Sequence, residues 1–305
     1  MATKVLEGKS AVVTGSGRGI GRGIAKALGA AGAEVVVNDI GAALDGTGGE
    51  QTPAAEVVKE IQDAGGVAVA NYDSVATMEG GERIIQTAVD NFGKIDILVT
   101  VAGILRDRMV FNMTEEEWDA VIAVHLKGTF SCVKYASILM RQQRSGRIIT
   151  FSSSSGVMGT TGQTNYGAAK SGIAGLTKVV ARDLGKYGIT VNSILPSAET
   201  RMTMTEEFKK AQEIRKAQGL PEEEGEGPMD PEDIAPFIVY LASDKAANVN
   251  GQTFAVRGGI IALASQPRII GAIHKQGRWS VDELIERIPQ TFGKDVVNQF
   301  MPKPA

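Results

Sequence analysis

The chain carries a single cysteine, Cys132, and two histidines, His125 and His274, among 305 residues. One cysteine closes no internal disulfide, which points to a reducing compartment. Cys132 sits among Phe130, Val133 and Ile138 and reads as core rather than as a reactive thiol. Two histidines and one cysteine assemble no ordinary zinc site, so no metal is expected. Net charge is scant as well: −3, with no Lys/Arg cluster, leaves no electrostatic case for nucleic acid. No apolar run approaches the ~18 residues of a membrane span. The opening Met1-Ala2-Thr3-Lys4-Val5 lacks the apolar core of a signal peptide, and the closing Pro302-Lys303-Pro304-Ala305 is no peroxisomal tripeptide. The expected location is cytoplasmic.

Glycine and hydrophobic residues are plentiful, 37 glycines and 43% respectively, as in a compact, turn-rich protein of one large α/β domain or two small ones. Short apolar runs read as strands at Ser10–Thr14, Val35–Val37, Val67–Ala70, Ile95–Val99, Arg147–Phe151, Thr190–Leu195 and Thr253–Val256. Helical patterns separate them. One starts at Thr52 as N-cap with Pro53 at the first helical position, and another covers Glu82–Asn91. A long one opens on the capping box Thr114-Glu115-Glu116-Glu117 and runs to about Met140, with His125 inside it. A further helix carries Tyr166 out to about Lys186. This rhythm predicts a doubly wound parallel α/β sheet of about seven strands with helices on both faces. The domain is expected to fill 1–265, with a lid over Ser197–Asp230 that includes a helix at Thr205–Ala217 and the acidic run Glu222–Glu226. Residues 266–305 are expected to form a tail, with one helix at Val281–Ile288, that packs on the core or on a partner subunit.

The chemistry gathers in three places. Tyr166 and Lys170 lie four residues apart on a helix and so share one face. An ammonium beside a phenol pulls its pKa down from ~10, the tuning an acid/base group needs. Upstream, Ser152-Ser153-Ser154-Ser155 offers a hydroxyl to orient a carbonyl or alcohol oxygen. Between the first strand and its helix, Gly15-Ser16-Gly17-Arg18-Gly19-Ile20-Gly21 aims backbone N–H groups and a helix N-terminus at a pyrophosphate. At the end of the second strand, Asp39 suits the two ribose hydroxyls of adenosine and repels a 2′-phosphate, which favours NAD over NADP. Arg18 argues the other way and is outweighed. Asp73 falls where an adenine ring would lie, and the loop Gly41–Gln51 is longer than the roughly 2–6 residues usual in such units. Taken singly, each signal has a plain counterpart: an exposed helix face, a glycine turn, a solvated acid.

Together they resemble the classical short-chain dehydrogenase/reductase family. The resemblance rests on Thr14-Gly15-x-x-x-Gly19-x-Gly21, Ala102-Gly103 after the fourth strand, Ser153 thirteen residues before Tyr166 and Lys170 four after it, over roughly residues 8–260. It implies one Rossmann-type domain and hydride transfer between NAD(H) and an alcohol/carbonyl pair. Tyr166 would be the acid/base, Ser153 would hold the substrate oxygen, and Lys170 would hold the nicotinamide ribose. It extends the cofactor contacts to Ser74, Val75, Ala102, Gly103, Pro196 and Thr200. Two positions depart from the family pattern. Thr100-Val101 replaces an Asn-Asn pair whose first member ties neighbouring strands, and His125 replaces a helix asparagine that holds a proton-relay water.

The segments Val37-Asn38-Asp39, Ala102–Arg108, Val124–Gly128 and Thr200–Thr203 are similar to one branch, in which His125 is normal. That branch is the (R)-3-hydroxyacyl-CoA dehydrogenase unit of peroxisomal multifunctional enzymes and their stand-alone bacterial relatives. It implies an acyl-CoA substrate, although the acidic run at 222–226 sits awkwardly with a polyanionic CoA. Dehydrogenation of a free steroid or other hydrophobic alcohol is the alternative. A non-catalytic nucleotide-binding subunit of a hetero-oligomer is the third reading, supported by Thr100-Val101 alone. The family also implies a homodimer or tetramer, and the extra tail favours the homodimer.

Overall fold

The structure is a computed structural model that describes residues 4–198 and 229–293. Most of the expected lid, with its helix at Thr205–Ala217 and its acidic run, lies outside the described residues, as does Thr200.

Strand residues alternate strictly between two apolar clusters, because successive side chains of a strand point to opposite faces. Val13, Val35, Ile97 and Ile149 face one cluster with Ile24, Leu28, Val57 and Ile238. Val12, Val36, Leu98 and Ile148 face the other, with Ile84, Cys132, Ala136 and Leu184. The continuous apolar runs are thus strands covered on both sides. They are β1 (Ser10–Thr14), β2 (Glu34–Asn38), β3 (Val67–Asn71), β4 (Ile97–Thr100), β5 (Gly146–Phe151), β6 (Ile189–Pro196) and β7 (Thr253–Arg257), all parallel. The spatial order is β3-β2-β1-β4-β5-β6-β7, reversing direction between β1 and β4. Such a reversal opens a crevice at the carboxyl ends of the strands, where ligands of doubly wound sheets bind.

The sheet has one strand more than the apolar runs suggested. β8 (Ile260–Leu263) folds back antiparallel on β7, with Arg257 directly opposite Ile260. Only Gly258 and Gly259 separate them, and Gly258 takes a positive φ of 48°. A Gly-Gly pair between apolar runs is a hairpin signal.

The helices are α1 (Gly19–Ala30), α2 (Thr52–Asp63), α3 (Met78–Phe92), α4 (Glu115–Ile122), α5 (Gly128–Gln143), α6 (Ser154–Val157), α7 (Thr164–Gly185), α8 (Ala235–Ala242) and α9 (Val281–Thr291). Three differ from the sequence reading. Thr52 is the first helical residue of α2, with Gln51 as N-cap. α3 begins earlier because Thr77 caps it, its Oγ1 accepting from Gly80 N–H at 3.0 Å. The long helix after Thr114 is interrupted, since Ala123–Lys127 forms a π-helical turn between α4 and α5. Such turns are rare and gather at functional sites; this one carries His125. The Thr114 capping box forms as expected, with Thr114 Oγ1 accepting from Glu117 N–H and Glu117 Oε2 accepting from Thr114 N–H.

Contacts divide the chain into two compact units, Met1–Ala264 and Ser265–Ala305. The second holds α9, opened by a capping box between Ser280 and Glu283.

Leu98 is fully buried in the middle of the sheet. Leu98→Ala should lower stability by about 2–5 kcal/mol, the range for emptying a packed core position. Urea unfolding measures it, and a cost under ~1 kcal/mol would mean the core collapses around the gap.

Candidate active site

At the crevice, β1 passes into α1 through Gly15, whose φ is +65°. A Cβ on Gly15 would fall 2.5 Å from Ala102 Cα, so glycine is what lets the ends of β1 and β4 close together. Beyond it lies a cavity of about 610 Å³. Its floor is the glycine turn, with Gly15, Arg18, Gly19, Ile20 and Gly21 in the lining. Asp39 lines it from the end of β2, Asp73, Ser74 and Val75 from the end of β3, and Ala102 and Gly103 from the end of β4.

The donor set suits a dinucleotide. The first N–H groups of α1 have no partner within the helix, and no acid stands in its first turn to repel a pyrophosphate. Asp39 is held by backbone, its Oδ2 accepting from Gly17 N–H at 2.8 Å and its Oδ1 from Gly41 N–H at 2.7 Å. A carboxylate has about four lone-pair sites, so two remain for ribose hydroxyls. Asp73 pairs with Arg83 at 2.6 Å and accepts from Asn71 Nδ2 at 2.9 Å. Ser16 does not line the cavity; its buried hydroxyl donates to Val13 O at 2.7 Å and braces the turn. Pro196 ends β6, opposite Val256, and is likewise outside the lining.

Ser153, Tyr166, Lys170 and His125 form a second group beside this cavity. His125 meets it at Gly103, where an added Cβ would sit 2.4 Å from His125 Cε1. Ser153 caps the short α6 at the end of β5, its Oγ accepting from Ser155 N–H at 3.2 Å. Lys170 Nζ lies 5.5 Å from the Tyr166 ring centre, and the His125 ring meets Tyr166 edge-on at 5.1 Å.

The electrostatics differ from the simple picture of an ammonium pulling on a phenol. Burial pushes the Tyr166 phenol above its usual range, a hydrogen bond with Ser153 opposes this, and the Asp107 charge adds to it. Lys170 is itself buried, which lowers its pKa from 10.5 to about 7, so near neutral pH its charge is only partly present. Its Nζ donates to Phe151 O at 2.7 Å. His125 is 1% exposed, and burial followed by the Lys170 charge holds its pKa at about 3, keeping it neutral. His125 Nε2 lies 3.0 Å from Ile104 N and 2.8 Å from Ile104 O. Either tautomer uses one of these, and Nδ1 stays buried with no partner. Thr100 leaves its hydroxyl unpartnered too. The tie between β1 and β4 comes from the other strand, Thr14 Oγ1 accepting from Val101 N–H at 3.2 Å and Ala102 N–H at 3.3 Å.

Sequence reasoning passed over Asn165. It is fully buried, and its Nδ2 donates to Arg106 O at 2.9 Å and Glu117 O at 3.0 Å. Its Oδ1 accepts from Tyr166 N–H at 2.7 Å, so it fixes the start of α7 against α4. A polar residue directly before the tyrosine was the available signal. The cavity wall formed by Ala42, Ala43 and Gly46 of the long loop, with Ile104, Arg106 and Val124 opposite, was not foreseen either.

Lys170 gives a pH signature. The unfolded chain holds its proton up to 10.5 and the folded chain only to about 7. Between these values the unfolded state binds more protons, so this group makes stability rise with pH across that window. Below it, the full cost of burying the ammonium is felt. Lys170→Met should therefore be most favoured over the parent at pH 7 or below, with the difference narrowing toward pH 10.5. Urea titrations at several pH values test this, and a difference that does not change with pH would contradict it.

Comparison with known proteins agrees with the geometry. The family described as enoyl-(acyl carrier protein) reductase matches residues 15–261. A solved short chain dehydrogenase from Mycobacterium avium shares 44% identity, covers 95% of this chain and 96% of its own, and superposes with a TM-score of 0.80. Hydroxyacyl-CoA dehydrogenase ChsB1 of Mycobacterium tuberculosis is 40% identical over 98% of this chain and 93% of its own length. Peroxisomal multifunctional enzyme type 2 of Mus musculus is 42% identical over 88% of this chain, which spans 34% of that longer protein. The chain belongs to the short-chain dehydrogenase/reductase family of NAD(P)-using oxidoreductases.

Proposed function

We propose that this oxidoreductase is an NAD-dependent (R)-3-hydroxyacyl-CoA dehydrogenase. The observation that carries the reading is the group Ser153, Tyr166 and Lys170, linked through the His125 ring to a cavity of about 610 Å³ at Gly103. Bound NAD supplies the hydride acceptor. Ser153 would hold the substrate hydroxyl, and Tyr166 would take its proton as the carbon-bound hydrogen leaves. Burial keeps the phenol protonated at rest, so the ionised form needs charge on Lys170, which binding of a polar ribose against its Nζ would favour.

Asp39 supports NAD, since its carboxylate is fixed by two backbone N–H groups at the ribose end. The thioester substrate is supported by the names of the Mycobacterium tuberculosis and mouse relatives, and the (R) configuration by the branch resemblance. An apolar acyl portion fits exposed Met109, Val110 and Phe111, which follow the Arg108–Gln163 bridge beside α7. No helix among the described residues is long and apolar enough to cross a membrane, and none of their His, Cys, Asp and Glu side chains cluster as a metal site. Cys132 is buried with its pKa pushed up to about 12, which supports a structural thiol. Exposed Phe130 and Ile138 on α5 and Val179 on α7 support a homodimer joined through those helices.

Purified protein should reduce NAD with (R)-3-hydroxyacyl-CoA and stay silent with the (S) isomer, followed as NADH absorbance. Oxidation of a free steroid or simple alcohol instead would discard the thioester reading and keep the chemistry. Tyr166→Phe should lower kcat by about 10²–10⁴-fold, the range for a positioned acid/base group. NAD affinity, measured by calorimetry, should hold within a few-fold; unaltered turnover would remove Tyr166 from the reaction.

A further inference from the structure

Arg18 lines the cofactor cavity at the same end as Asp39. A guanidinium in that position is the natural counter-charge for a 2′-phosphate. Here it is already engaged. Arg18 Nη2 donates to Glu50 Oε1 at 2.6 Å, and Nη1 donates to Ala42 O at 3.4 Å.

Backbone geometry brings Glu50 there. The loop 41–50 leaves the end of β2 and returns to it, with Glu50 N–H donating to Ile40 O at 3.0 Å. The neck is tight. Gly41 has φ +66°, and a Cβ on it would fall 2.0 Å from Glu50 O, while one on Gly49 would fall 2.9 Å from Ile40 O. Two glycines therefore allow the closure that sets Glu50 beside Arg18. The body of the loop is seated separately, Leu105 N–H donating to Leu44 O at 3.0 Å and Arg106 Nε to Asp45 O at 2.8 Å.

We propose that Glu50 is a specificity-determining residue: it occupies the Arg18 guanidinium and so denies a 2′-phosphate its counter-charge. The inference rests on the NAD reading above and deepens it. Asp39, Arg18 and Glu50 together carry one net negative charge at the ribose end. NADP must then displace Glu50 from Arg18 and bring its phosphate beside Asp39, whereas NAD leaves the pair in place. The pair is half exposed, with side-chain exposures of 38% for Arg18 and 55% for Glu50, so it adds little to stability. Its effect lies in the choice between cofactors.

The test measures kcat/KM for NAD and NADP in the parent, Glu50→Gln, Arg18→Gln and the double variant. In Glu50→Gln the NADP-to-NAD ratio should rise about tenfold, the scale of a freed charge-assisted contact with phosphate. The rise should vanish in the double variant, since it passes through Arg18. An unmoved ratio, equal losses with both cofactors, or a rise that survives in the double variant would each overturn the role of Glu50. A parent enzyme that prefers NADP would instead overturn the NAD reading, whatever Glu50→Gln does.

Discussion

The approach of Gly15 to Ala102 is the constraint on which the site depends. With no side chain at Gly15, the ends of β1 and β4 come close enough that an added Cβ would sit 2.5 Å from backbone. The sheet reverses its order between these two strands, so the crevice opens there. Most of the cavity lining is then the continuation of a strand: the glycine turn after β1, Asp39 after β2, Asp73 after β3 and Gly103 after β4. The fold places chemistry at loop starts because rigid strands aim them.

The second theme is burial of ionisable groups. Lys170, His125 and the Tyr166 phenol share one corner in which the first two are buried and Tyr166 is half-buried, and burial is the largest influence on each. Such a corner is poised rather than active, because it suppresses charge on all three side chains. His125 stays neutral over the whole working range, which suits a hydrogen-bonding part more than proton transfer. Its Nδ1 is buried without a partner, on the π-helical turn that interrupts the long helix.

Much of this was legible in the sequence, and for identifiable reasons. Parallel strands buried on both faces read as unbroken apolar runs, so β1, β2 and β5 stood out directly. The glycine turn and the Tyr166–Lys170 spacing were visible because the backbone and one helical turn impose them. What escaped depends on tertiary contact. Asn165 looks unremarkable until Arg106 O and Glu117 O are seen to converge on its amide. The π-helical turn has no periodicity that sets it apart from a continuous helix over so few residues. The spacing of Tyr166 and Lys170 suggests a lowered phenol pKa, whereas burial, which sequence does not display, pushes it up. β8 is a different case: Gly258-Gly259 between two apolar runs is itself a hairpin signal.

That last strand alters what the rim of the sheet offers. A parallel sheet ending at β7 would expose a row of unpaired backbone donors and acceptors along its full length. β8 satisfies one side of that row within the chain and leaves a four-residue strand as the outer boundary. Ile260, Ile261 and Leu263 on it are more than half exposed. Any strand-to-strand joining on this flank would therefore have to begin at a short, apolar ribbon rather than at the parallel body. The hairpin acts as a hem, separating the register of the catalytic sheet from whatever happens at its margin.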